Sequence, residues 1–144
     1  GGRLDVVAAA LIDSPEAWTA PSAKFKAPYD FMVSSWRALG VMPADAQTVS
    51  KQARSLGQRP MSPPSPKGWS DMASDWASPD QIMRRMDWSE DFAAKIPNQA
   101  SPQEIAAMAL GPLLGDKSSK AIARAESRPQ AVAVLLMSPE FQRR

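Results

Sequence analysis

The sequence predicts an all-α fold, a compact bundle of seven to nine short helices, and three observations carry that prediction. Apolar residues recur at three- and four-residue spacing, as in Leu4, Val7, Ala8, Leu11 and Ile12, which lie on one helix face. No stretch alternates apolar and polar residues with β-branched enrichment, and threonine occurs only at Thr19 and Thr48. Ser-Pro pairs at Ser14, Ser78, Ser101 and Ser138 read as helix starts. Serine accepts from an orphan N–H there, and proline at the first helical position has no N–H to leave unpaired.

The elements follow in order. Residues 4–12 form the first helix, and Ser14 opens a second. Residues 28–39 run to a stop at Gly40, and residues 44–56 to a stop at Gly57. Residues 57–70 hold Pro60, Pro63, Pro64 and Pro66 and fit neither a helix nor a sheet centre. They read as an ordered proline-rich loop pinned by Trp69, because linkers rarely carry Met and Trp. Ser78 starts the next helix; a break near Asp87 is expected before residues 89–96, which Pro97 closes. Ser101 with Glu104 makes a capping box for a helix that runs into Gly111-Pro112. Residues 118–126 and 130–137 complete the set. Leu11 to Trp18 echoes Leu135 to Gln142, each an apolar helix end followed by a capped new turn. The separation is too long for a solenoid repeat, so the echo reads as one joint used twice.

Composition excludes much of enzyme chemistry. The 144 residues contain no His and no Cys, which removes Ser/His/Asp and Cys/His catalysis, imidazole and thiolate zinc sites, and disulfides. A chain of this length buries roughly 68–70% of its unfolded surface and needs no staples. The isoelectric point is about 9.2, but 17 Lys plus Arg stand against 15 Asp plus Glu. With nothing titrating between carboxylates and amines, a small excess of +2 is enough to set a high isoelectric point, so it argues little for nucleic acid. No apolar run is long enough to span a membrane. The start lacks an initiator Met and a signal-peptide pattern, which is expected of a portion cut from a longer protein. The compartment is left open by the absence of Cys.

Charge supplies the candidate binding residues. Residues 46–70 carry Lys51, Arg54, Arg59 and Lys67 with no acid, and residues 71–91 carry six acids against Arg84 and Arg85. Either the two stretches are solvated or packed together, or Arg54, Arg59 and Lys67 form a basic groove with Trp69 as a stacking surface. So few cations give only weak, salt-sensitive binding of an anionic polymer. Asp71/Asp75 and Asp87/Asp91 sit four residues apart, a spacing that in principle holds a hard cation or serves as acid and base, but neither pair fits a calcium loop, and Asp71 and Asp75 read as caps or solvated acids. No metal ligand, cofactor site or catalytic residue is assigned. The Gly111 to Ser118 segment has the wrong glycine spacing for a phosphate loop, and both its glycines read as helix stops. Arg85 either organises backbone carbonyls from a buried position or pairs with Asp80 or Asp75, while Arg84 faces solvent. The 8 Met and 5 Trp fill gaps between short helices or line an adaptable groove.

Four blocks carry a family resemblance. They are Lys24-Phe25-Lys26-Ala27-Pro28-Tyr29-Asp30-Phe31 continuing to Arg37-Ala38-Leu39-Gly40, then Leu56-Gly57-Gln58-Arg59-Pro60, then Pro63-Pro64-Ser65-Pro66-Lys67-Gly68-Trp69, and last Leu135-Leu136-Met137-Ser138-Pro139-Glu140-Phe141-Gln142-Arg143-Arg144. In this order they resemble the bacterial family known as domain of unknown function 1800. Ala27 stands where the family usually has a capping Ser, and Ser65 where it has Asn. The resemblance implies a C-terminal part of a longer protein and no established activity, so no catalytic residue carries over. It also implies genes that often neighbour those of presumed exported proteins. The expectation is therefore a single helical domain over residues 1–144 that binds or scaffolds, with Arg54, Arg59, Lys67, Trp69 and Arg85 as binding residues. The partner expected is the N-terminal region of the same protein or another protein. The alternatives are an enzyme part, such as a hydrolase completed by that region, and weak binding to an anionic polymer.

Overall fold

The four Ser-Pro pairs that read as helix starts behave in three different ways in the computed structural model, which describes residues 2–18, 24–97 and 100–143. Ser78 and Ser101 start helices: Ser78 Oγ accepts from the Gln81 N–H at 3.4 Å, and Ser101 and Glu104 form a reciprocal capping box. Ser14 opens only a 3-10 turn over Pro15–Trp18, since its hydroxyl donates to the Glu16 carboxylate at 2.6 Å instead of capping. Ser138 starts no helix. Its Oγ accepts from the Phe141 N–H at 3.3 Å, and the chain turns so that Phe141 and Gln142 enter the core.

Eight α-helices lie among the described residues: α1 Leu4–Ile12, α2 Pro28–Ala38, α3 Ala46–Ser55, α4 Ala73–Trp76, α5 Pro79–Lys95, α6 Pro102–Leu110, α7 Asp116–Ala123 and α8 Arg128–Met137. No strand is present among them, only an isolated bridge between Phe25 and Arg143. The expected break near Asp87 is absent and α5 runs through it. No Gly or Pro interrupts that stretch, and buried Ser89 stays helical by donating its hydroxyl to the Arg85 carbonyl at 2.7 Å. Gly115 also departs from expectation, standing before α7 rather than ending a helix.

α5 and α8 form the largest helix contact, and α6 and α7 pack on α8. Their shared core holds Phe31, Met32, Leu56, Ile122, Val132, Leu135 and Leu136, all nearly solvent-free. Phe31 meets Trp88 and Phe141 edge-on, at 5.5 and 6.2 Å between ring centres, and Trp88 stacks on Phe92 at 4.6 Å. α1 stands apart, with none of its residues buried.

The largest fully buried side chain is Arg85, at 0% exposure. Its Nη1 donates to Gln142 Oε1 at 2.6 Å and its Nη2 to the Lys26 carbonyl at 2.7 Å. The Phe25 and Phe31 rings flank the guanidinium at 4.5 and 5.0 Å. Among the described residues no carboxylate pairs with it. Burial pushes its pKa down to about 10, so it stays charged at neutral pH and is met by dipoles and ring faces alone. Gln142 is held in turn: its Nε2 donates to the Leu136 carbonyl at 2.7 Å, and its own carbonyl accepts from Lys26 N–H at 2.8 Å. The segment before α2, the middle of α5 and the end of the chain therefore meet at one side chain.

Arg85→Ala leaves two buried acceptors unpaired, and Arg85→Lys offers a point charge where a fork is needed. Both variants are expected to lose about 3 kcal/mol in urea unfolding. A loss below about 1 kcal/mol would show that the carbonyls find other donors.

Candidate functional site

Among the described residues, no hydrogen bond, ion pair or ring contact joins the five residues singled out in the sequence to one another. Arg54, Arg59 and Lys67 are exposed. Trp69 is half-buried and lies 5.9 Å from Trp76, whose Nε1 donates to the Ser70 carbonyl at 2.8 Å. Arg85 sits in the core, out of reach of any ligand at the surface. The proline-rich segment folds into successive turns, with Ser62 N–H bonded to the Arg59 carbonyl and Gly68 N–H to the Ser65 carbonyl. Gly57 is required there: at φ +87° a Cβ would also lie 2.7 Å from the Gln81 side chain. The next residue, Gln58, accepts from the Tyr29 N–H at 2.7 Å and so caps α2, where Ala27 has no side chain to do it.

Among the described residues, two of the six acids of residues 71–91 form ion pairs. Asp71 pairs with Lys24 at 2.6 Å, and Asp80 with Arg84 at 2.8 Å. No group of three potential metal ligands gathers among the described residues.

A different surface collects functional chemistry. An open cleft of about 640 Å³ lies between the end of α2, α6 and the C-terminal turn. Leu39, Ile105, Leu110 and Phe141 give it an apolar floor, and Met108 and Leu113 extend this outward as exposed side chains. Lys26, Arg37, Arg128 and Arg143 stand around it, against one acid, Glu140.

Four of these five charged groups are held by neighbouring atoms. Lys26 Nζ lies 4.2 Å above the Phe141 ring. Arg128 Nη2 donates to the Pro97 and Ala100 carbonyls, both at 3.3 Å. Arg143 Nη1 donates to the Pro139 carbonyl at 3.4 Å, and Arg37 projects from the last turn of α2. Glu140 accepts from Ser118 Oγ at 2.7 Å and from Gly115 N–H at 3.2 Å, which ties the C-terminal turn to the start of α7. Burial pushes the Glu140 carboxyl up, but hydrogen bonds from Ser118, its own backbone, Gly115 and Ser138 outweigh this and hold it below the usual range. A Cβ on Gly115 would lie 2.5 Å from Glu140 Oε1, so the contact needs glycine.

The cleft escaped sequence reasoning because its walls come from five separated segments, each of which reads locally as a helix end. The one available signal was a cation next to an apolar residue at several of those ends, as at Arg37 with Leu39 and Arg143 with Phe141.

Fold and cleft together define the class: an all-α domain clamped by a buried arginine, carrying an apolar cleft under a cationic rim. The chain belongs to the family described as protein of unknown function (DUF1800), whose model matches residues 1–143. The four sequence blocks lie within that match except for Arg144, which is also outside the described residues. No curated protein and no solved structure matches the chain. No helix among the described residues is long and apolar enough to cross a membrane.

A carboxyl whose folded pKa is lowered stabilises above its unfolded pKa, and loses that contribution as pH falls through the folded value. Glu140→Gln is expected to cost on the order of 1 kcal/mol at pH 7. The gap to the parent chain should narrow in urea unfolding as pH falls below the ordinary glutamate range; a gap unchanged with pH would show that the charge is irrelevant.

Proposed function

We propose that this domain is a binding module that takes an acidic, apolar-faced protein segment in the cleft. The observation that carries the reading is the placement of Lys26, Arg37, Arg128 and Arg143 around a floor of Leu39, Ile105, Leu110 and Phe141. The apolar floor supplies most of the affinity, at about 25 cal/mol per Å² removed from water, while exposed ion pairs add about 0–1 kcal/mol each. The rim's larger effect is on which partner is accepted and how fast it arrives.

Binding is favoured over catalysis by the state of the cleft's one acid. Glu140 is committed as an acceptor to Ser118 and Gly115 and is held ionised, which suits a structural tie and not a proton donor. The proline-rich loop does not carry this reading, since its cations and Trp69 make no common surface contact.

Two labelled helical peptides with the same apolar pattern, one bearing Glu and the other Lys at the polar positions, test it by fluorescence anisotropy. The Glu peptide is expected to bind, and the Arg37→Glu/Arg143→Glu double variant to weaken it at least tenfold, about 1.4 kcal/mol. Equal binding of the Lys peptide, or no effect of the double variant, would overturn the reading.

A further inference from the structure

We infer that the cleft is filled by helix α1 of a second copy of this chain, so that two copies exchange their α1 helices reciprocally. This rests on the reading that the cleft accepts acidic, apolar segments.

The first support is the state of α1. Eight of its nine residues are apolar, yet none is buried; Leu4 is 85% exposed and Leu11 67%. A nine-residue helix is marginal in water without a packing surface. The turn after it repeats the problem, with Trp18 at 73% exposure.

The second support is charge. Residues 3–18 contain Asp5, Asp13 and Glu16 against one base, Arg3, which pairs with Asp5, whereas the cleft has four cations and a single acid, Glu140. The third is size. A nine-residue α-helix is about 13.5 Å long and occupies roughly 1,000 Å³, so a cleft of about 640 Å³ takes its inner face and leaves the other side in water. The echo between residues 11–18 and 135–142 fits the same picture. α8, the helix before the second of these, is buried against its neighbours, whereas no residue of α1 is buried. Two-fold exchange also forms the contact twice for one association, which doubles the area of a small interface.

The absence of Cys from the chain makes the test clean. Chains carrying Leu11→Cys are mixed with chains carrying Met108→Cys under oxidising conditions; Met108 lines the cleft and is 73% exposed. A mixed disulfide between them is expected in at least tenfold excess over that formed with Met61→Cys, an exposed position on the proline-rich segment that does not line the cleft. Sedimentation of the unmodified chain should show a dimer that Val7→Glu or Arg37→Glu weakens at least tenfold, with the helical circular dichroism unchanged. A monomer at all concentrations, or disulfides only between two Leu11→Cys chains, would overturn the inference. If the Glu peptide still binds the cleft in that case, the binding reading stands and only the identity of the occupant fails.

Discussion

The buried guanidinium of Arg85 is the constraint on which the rest of the domain depends. A charge without a carboxylate partner is costly in a core, and it is tolerated here because three different parts of the chain turn dipoles or ring faces toward it. Lys26 gives a carbonyl, Gln142 an amide oxygen, and Phe25 and Phe31 their rings. Pairing the two terminal nitrogens of that side chain, while its Nε is left without a partner, fixes where the segment before α2 and the end of the chain must lie. It also brings Lys26 and Phe141 to the wall of the cleft, so the fold's most demanding polar group sets the geometry of the candidate site.

The same logic recurs at smaller scale. Short helices have a high proportion of unpaired end groups, and many are satisfied here by side chains distant in sequence. Gln58 caps α2, Glu140 meets the start of α7, and Arg128 binds carbonyls of the segment between α5 and α6. Each such tie joins two elements as well as ending one. The polar residues of the family blocks are thus largely accounted for by the architecture, which moves the search for function to the surfaces they leave open.

Two such surfaces stand out for opposite reasons. The cleft is concave, apolar below and cationic above; α1 is convex, apolar and followed by acids. Neither is covered by the packing of the described residues, and their complementarity is what the proposed self-association rests on.

Much of the fold was legible in the sequence. Helical periodicity gave the class, Ser78 and Ser101 gave helix starts, and Gly40, Gly57 and Gly111 gave stops, because these depend on local backbone chemistry. Arg85 was legible as a candidate for burial, though which groups it would meet was not. What only the tertiary structure decided was where polar groups find partners across long separations: that Ser138 turns the chain without starting a helix, that Gly115 makes room for Glu140, that Gln58 replaces a missing cap. The cleft belongs to the same class. Its residues share no period and no local motif, and they become neighbours only when Arg85 has drawn the two ends of residues 24–143 together.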